Sequence, residues 1–284
     1  MGALAFRRMT AGDRDRVLEM LRAFEDDYLP RVLDSWLHQE PGGCYLAEEE
    51  GRVIAFASIH FPLPGEAWLR GMRVHPSAQG RGAGTAFSRF QVEEARRLGA
   101  HVVRLGTSYK NRAVHRMIGE KLRFELIARW CFSPGPPPDG RRAQGVRAAT
   151  RQDSDALEEF LRELERRGAL FPYRSVGSPW QMASFRPEHA GRCLEEGEVL
   201  LRESPQGITG MAIAIPYQRE GKNYLGLTYL AGDEESLDQI LAHLPALARR
   251  RGLAGLSYSL PEPQYRRVAR GPAEWVMLVY EMKV

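Results

Sequence analysis

The chain begins twice. FRRMTAGDRDRV from Phe6 returns as VRAATRQDSDAL from Val146, so that Arg7, Thr10, Asp13 and Asp15 recur as Arg147, Thr150, Asp153 and Asp155. Each copy reads as a short strand running into a Thr that can cap a helix, with Asp near the positive helix end. One apolar stripe follows in each, Val17, Leu18, Leu21 and Phe24 in the first and Leu157, Phe160, Leu161 and Leu164 in the second. Between the copies stands PGPPPDGRRAQG, where proline fixes the backbone, removes donors and leaves nothing apolar to pack. Two domains are expected, 1–134 and 146–284, joined by a linker at 135–145.

The repeat continues. CYLAEEEGRVIAFASIHF from Cys44 reads as a hairpin with its turn around Glu50 and Gly51, and VLLRESPQGITGMAIAIPY from Val199 does the same. WLRGMRV from Trp68 and YLGLTYL from Tyr224 read as strands. Helical stretches follow at Ala83 to Leu98 and Ser236 to Arg250, then the strands HVVRLGTSY and LAGLSYSL. Each half is β-α-β-β-β-α-β in outline, an α/β chain with a mixed sheet and helices on its faces. After Phe124 the first half offers a single further strand, FELIARWCF, so its sheet can lean on the apolar, β-rich end WVMLVYEMKV.

Composition narrows the class. With 284 residues and 43% hydrophobic content the chain can bury a substantial core, and a net charge of +4 without any run of like charge argues against a nucleic-acid partner. Cys44, Cys131 and Cys193 are widely separated, which suggests neither a disulfide framework nor a metal site and fits a reducing cytoplasm. The N-terminus lacks the apolar core of a signal peptide, and no run is long enough to span a bilayer, so no membrane role is expected. Oligomeric state is not legible.

The chemistry is concentrated in QGRGAG, Gln79 to Gly84, which lies between a strand and a helix. Gly80, Gly82 and Gly84 permit positive φ and let backbone N–H groups approach a ligand, and the helix starting near Ala83 adds its positive dipole end. Such a loop suits a phosphate or pyrophosphate, with Arg81 at its rim; the alternative is a flexible turn. A Walker loop would end in Gly-Lys-Ser/Thr, and a dinucleotide fingerprint would follow the first strand of a βαβ unit. This loop follows the fourth strand.

That placement resembles the GNAT N-acetyltransferase superfamily, whose acyl-CoA loop Q/R-x-x-G-x-G/A is matched by Gln79, Gly82 and Gly84 after Val74-His75-Pro76. NRAVHRMIGEKLRF from Asn111 is similar to the family's N-x-x-A…K-L-G-F segment, with Arg123 in place of the usual Gly and one residue inserted. DYLP from Asp27, SWL from Ser35, GMRVHP from Gly71 and LPEPQ from Leu260 resemble the tandem histidine N-acetyltransferase-like proteins.

The resemblance implies transfer of an acetyl group from acetyl-CoA, without a metal, to a small-molecule amine such as an amino acid. Met72, Arg73 and Val74 would line the pantetheine on a strand splayed from its neighbour, with a backbone N–H there supporting the oxyanion. Gln79, Gly80, Arg81, Gly82, Ala83, Gly84 and Thr85 would hold the pyrophosphate, and Asn111 the pantetheine arm. A general base is expected near the fourth strand, but its usual position is Arg70.

Strand alternation puts Glu66, Trp68, Arg70 and Met72 on one face, which makes Glu66 the candidate base; its alternative is a Glu exposed beside a turn. Arg70 can pair with a substrate carboxylate or with a structural one. The family's Tyr acid is missing near Gly119, and Tyr109 either stands in for it or is a strand-end aromatic. Tyr28, Arg31 and Trp36 fall in the segment that roofs the acceptor pocket, or else pack a helix. His75 and His115 read as surface residues. In the second half, a constant offset sets QGRGAG against ESLDQI from Glu235, whose acids would repel a pyrophosphate, so that half is expected to be degenerate and to shape the acceptor pocket. The missing Tyr leaves a second reading, a non-catalytic acyl-CoA sensor.

Overall fold

The computed structural model describes residues 3–135, 143–196, 198–219, 221–269 and 271–284, so the centre of the expected linker, 136–142, lies outside the described residues. The chain forms two compact units, Met1–Ile127 with Leu278–Val284, and Ala128–Met277. This division differs from the expected boundaries at 134 and 146 because a terminal strand of each half pairs away from the half that precedes it in sequence.

In the first unit the order is β1 (Leu4–Arg8), α1 (Arg14–Leu21), α2 (Leu29–Leu37), β2 (Gly42–Glu49), β3 (Arg52–Leu63), β4 (Glu66–Val74), α3 (Ala83–Arg97), β5 (Val102–Ser108), α4 (Arg112–Arg116) and the start of β6 (Glu125–Gly135). The sheet runs β1-β2-β3-β4-β5, antiparallel up to β4 and parallel between β4 and β5. β2 and β3 turn through Glu50 and Gly51, both at positive φ. Phe87, Val92 and Ala95 of α3 fill one face. Val17, Leu21, Leu29 and Leu33 cover Leu46 and Phe56 on the other. Each such fully buried side chain contributes about 1.5–3 kcal/mol.

The end of the chain completes this sheet. Leu278–Val284 runs beside β5, as the apolar C-terminus led one to expect, and Val284 N–H donates to the His101 carbonyl at 2.9 Å. Arg104 of β5, almost fully buried, donates to Glu281 at 2.7 Å and to Glu66. Two carboxylates around one guanidinium make this ion-pair network the polar pin of the strand joint.

The second unit repeats the plan: β7 (Val146–Ala148), α5 (Ser154–Arg166), β8 (Tyr173–Val176), β9 (Ser178–Ser184), α6 (Ala190–Glu196), β10 (Glu198–Ser204), β11 (Gly207–Arg219), β12 (Lys222–Gly232), α7 (Glu234–Arg250), β13 (Gly255–Pro261), α8 (Glu262–Val268) and the start of β14 (Trp275–Lys283). Its sheet runs β6-β13-β12-β11-β10-β7, with Trp130 of β6 opposite Pro261. Where the first unit has α2, this one carries the hairpin β8-β9 and α6.

The repeated residues have one structural purpose in both units. Arg7 grips Asp13 at 2.7 and 2.6 Å and Glu48 at 2.9 and 3.0 Å, while Asp13 accepts from Thr10 N–H at 2.9 Å. Arg147 grips Asp153 at 2.8 and 2.6 Å and also holds Glu203, while Asp153 accepts from Thr150 N–H at 2.6 Å. The duplicated motif locks the first strand of each unit to the start of its first helix.

Candidate acyl-transfer site

β4 and β5 pair only from Glu66 opposite Val102 to Leu69 opposite Leu105, and among the described residues the ladder stops there. From Arg70 onward β4 keeps β3 on one side and leaves the side toward β5 open. The cause lies at Gly71, whose φ of 66° and shifted pairing, Phe56 with Arg73 but Ser58 with Arg70, mark a bulge. A Cβ on Gly71 would meet Trp36 at 2.7 Å and Leu29 at 2.9 Å, so α2 is seated directly on that glycine. The open side of β4 past Leu69 therefore forms a wedge that an extended amide-bearing chain can enter along Met72, Arg73 and Val74, where the Met72 carbonyl already accepts from Arg73 at 3.0 Å.

The bulge also corrects the expected face. Met72 does not continue the Trp68 and Arg70 row: its sulfur lies 3.7 Å from Ser88 Oγ on the α3 side, whereas Arg70 and Arg73 point under α2. Alternation fails because the bulge inserts a residue into the pleat.

At the wedge's end the chain enters QGRGAG. Gln79 folds back to donate from Nε2 to the Val74 carbonyl at 2.8 Å. Gly80 and Gly82 have φ of 74° and 87°, and a Cβ on either would touch nothing within 4 Å, so conformation rather than space calls for glycine. Gly82 is the N-cap of α3 and brings no side-chain cap, leaving the N–H groups of Ala83, Gly84 and Thr85 without intrahelical partners. Gly84 lies against the β4 strand, where a Cβ would make ordinary contact with Val74 at 3.4 Å and with Met117 at 3.9 Å. Arg81 pairs with Glu49 at 2.6 Å at the rim. These donors fit a pyrophosphate, and the wedge fits a pantetheine.

Asn111 accepts from Val114 N–H at 3.3 Å and so caps α4, which leaves only its NH2 group for a ligand. The inserted residue downstream takes physical form as a π-helical turn, Met117–Lys121. Arg123, at the usual glycine, keeps a left-handed φ of 61°.

Under α2 a second cluster lies on the opposite face. Arg70 stacks on Trp36 at 3.8 Å, donates to Ser58 Oγ at 3.3 Å and binds Gln39 Oε1. Burial lowers its guanidinium to about 10, still charged at neutral pH, and among the described residues no carboxylate pairs with it. Arg73 is held by Asp27 at 2.7 and 3.0 Å and stands 5.5 Å over the Tyr28 ring. His60 is the cross-strand partner of Trp68, and Cys44 that of Ser58. Burial raises the Cys44 thiol to about 12, so it is neutral and not a nucleophile.

Several expected residues stand elsewhere. Glu66 is bound to Arg104 at the paired end of β4, six residues or about 20 Å of strand from Met72, and cannot reach the wedge as a base. Tyr109 projects into solvent, its ring 5.8 Å from Lys110 Nζ. Arg31 is exposed at the outer side of α2 and does not join Arg70. His75 turns back on Ser77 at 2.7 Å, and His115 is fixed between the Tyr280 hydroxyl at 2.9 Å and the Tyr109 carbonyl at 3.2 Å. Sequence reasoning missed His60, Ser58 and Gln39, which share a site only through strand register and the seating of α2.

The second unit has no counterpart of the loop. Residues 75–82 join β4 to α3, whereas Asp233 alone joins β12 to α7. The expected match of QGRGAG with ESLDQI is thereby corrected: the segment is missing, not replaced. Asp233 caps α7 by accepting from Ser236 N–H at 2.8 Å, and Glu234 and Glu235 occupy its first turn. Carboxylates thus sit where the first unit offers bare N–H groups.

Splayed parallel strands, a β4 bulge and a glycine loop opening onto a helix N-terminus together form a cleft whose backbone donors suit an anionic ligand. Residues 14–124 match the model of the acetyltransferase (GNAT) family. The chain is similar to a mycothiol acetyltransferase of Thermomonospora curvata, 33% identical over 115 residues that cover 40% of this chain and 37% of that protein. It is similar also to a histidine N-acetyltransferase of Xenopus tropicalis, 30% identical over 172 residues, 55% of this chain and 51% of that protein. The chain therefore spans about half or less of the length of these relatives. A solved structure, a GCN5-related N-acetyltransferase from Sphaerobacter thermophilus, shares the fold across 99% of this chain and 95% of its own, with a TM-score of 0.63 at 16% identity.

Proposed function

We propose that this protein transfers an acetyl group from acetyl-CoA to the amine of a small molecule that also carries a carboxylate, an amino acid such as histidine being the type. The carrying observation is Arg70, a desolvated guanidinium without a carboxylate partner among the described residues, set under α2 beside the β4 bulge. Desolvating a cation is costly unless an anion answers it, and its planar fork suits a carboxylate. Trp36, Ser58 and Gln39 already hold the guanidinium in place, so binding spends little on ordering it.

In this reading acetyl-CoA supplies the thioester. Gln79 to Thr85 bind its pyrophosphate, Met72 to Val74 hold the pantetheine by backbone groups, and a backbone N–H at the bulge supports the oxyanion. Rate comes largely from placing amine and thioester together, without a covalent enzyme intermediate. Similarity to the Xenopus tropicalis protein supports an amino-acid acceptor, and the acids at the start of α7 support a second unit that holds no acetyl-CoA of its own.

Free-thiol release from acetyl-CoA, run on pairs such as histidine and histamine, tests the reading. The carboxylate-bearing member should turn over faster, and Arg70→Gln should erase the preference. Equal rates on both members would contradict the proposal.

A further inference from the structure

We propose that His60 is the general base that takes the proton from the acceptor ammonium, in place of an acid at the β4 position that Arg70 occupies. This rests on the acyl-transfer reading above and adds to it a named base. Three observations converge. Arg70 stands where a base is expected and has no lone pair to offer, while Glu66 is tied to Arg104. His60 projects from β3 toward the same face as Arg70, because Ser58 pairs with Arg70 and His60 with Trp68, and Arg70 itself bonds to Ser58 Oγ. The diagonal Arg70 and His60 positions are about 7 Å apart across the strands.

A ligand supplies the remaining length. In an α-amino acid the nitrogen lies about 2.5 Å from the carboxylate carbon, so a carboxylate on Arg70 carries its ammonium within the space between Arg70 and His60. The titratable and charged groups around this face are Cys44 on β2, Arg70 and Arg73 on β4, and Asp27 and Tyr28 at the start of α2, with Arg73 and Asp27 neutralising one another as an ion pair. Burial holds Cys44 and Tyr28 neutral. Burial first, and then the Arg70 charge, lowers His60 to about 4, so its imidazole is an unprotonated acceptor at neutral pH. A bound carboxylate offsets the Arg70 charge and moves the imidazole back toward neutrality, which matches base strength to the presence of substrate.

The step balances as follows. His60 takes one proton from the ammonium and later releases it to solvent. The amine's electron pair forms the C–N bond to the thioester carbonyl carbon, the C–S bond breaks, and the departing thiolate takes up the second amine proton. Acetylated amine, CoA thiol and one released proton account for all atoms and charges.

The test is His60→Gln and His60→Ala in the full chain, with an α-amino acid that the unchanged protein acetylates. Expected for His60→Gln are a kcat roughly 100-fold lower, an unchanged acetyl-CoA affinity by calorimetry, and loss of the limb that kcat/KM shows on the acid side. Free imidazole should restore part of the His60→Ala rate, which a merely structural histidine would not allow. Wild-type turnover with His60→Gln within about twofold of it, or no imidazole rescue, overturns the base while leaving the acyl-transfer reading intact. No turnover of any amine by the unchanged protein overturns that reading and the base together.

Discussion

Three substitutions carry the sharpest residue-level predictions. Removing the charge in Arg70→Gln takes away a bond to a charged group worth about 1.5–3 kcal/mol, so KM for a carboxylate-bearing acceptor should rise roughly 10- to 150-fold while KM for acetyl-CoA holds. Arg123 adopts glycine's conformation without being glycine. Relief of that strain is partly offset by the freedom glycine gains in the unfolded chain, and Arg123→Gly should stabilise by about 1 kcal/mol in urea unfolding. Asp13 and Asp153 are held well below the usual carboxylate range, first by Arg7 and Arg147. Their folded-state values are depressed, so the stability they contribute is present above about pH 4 and is lost as pH falls below it. Asp13→Asn should flatten the dependence of the urea midpoint between about pH 2 and 5, and an unchanged slope would refute the linkage.

At the level of elements, the terminal strand is the least obvious dependency. Without Leu278–Val284 the first unit loses Glu281, leaving buried Arg104 with Glu66, and exposes one edge of β5. Truncation before Leu278 should speed hydrogen exchange in Val102–Ser108 roughly tenfold or more; unaltered protection would show that the strand is ornamental.

How much of these elements was legible follows from where their determinants lie in the chain. The glycine loop could be read because positive φ and bare N–H groups are demanded within six consecutive positions. The duplicated Arg, Thr and Asp could be read for the same reason. The cluster under α2 could not, because Gln39, Ser58, His60 and Arg70 meet through the β3–β4 register and the seating of α2 on Gly71. One signal was available, a glycine inside the strand pattern between Arg70 and Met72, which marks a bulge and should have interrupted the expected alternation. Glu66 misled for the complementary reason: its partner Arg104 lies 38 positions away on a parallel strand.

On the scale of the whole molecule, the two units share a strand-helix plan but differ at the loop before the long helix. Both units retain the strand-to-helix lock, yet residues 75–82 have no equivalent before α7. The proposed function accordingly places one acetyl-CoA site per chain, on the first unit's loop. Gly82→Asp tests it cleanly, since a Cβ there meets nothing within 4 Å and Asp tolerates a left-handed backbone, while its carboxylate opposes a pyrophosphate. Gly82→Asn supplies the same shape without the charge. Calorimetric titration of the full chain with acetyl-CoA should give a stoichiometry of one, weakened about 100-fold or more in Gly82→Asp and far less in Gly82→Asn. Two sites per chain, or an affinity that Gly82→Asp leaves unchanged, would contradict the account.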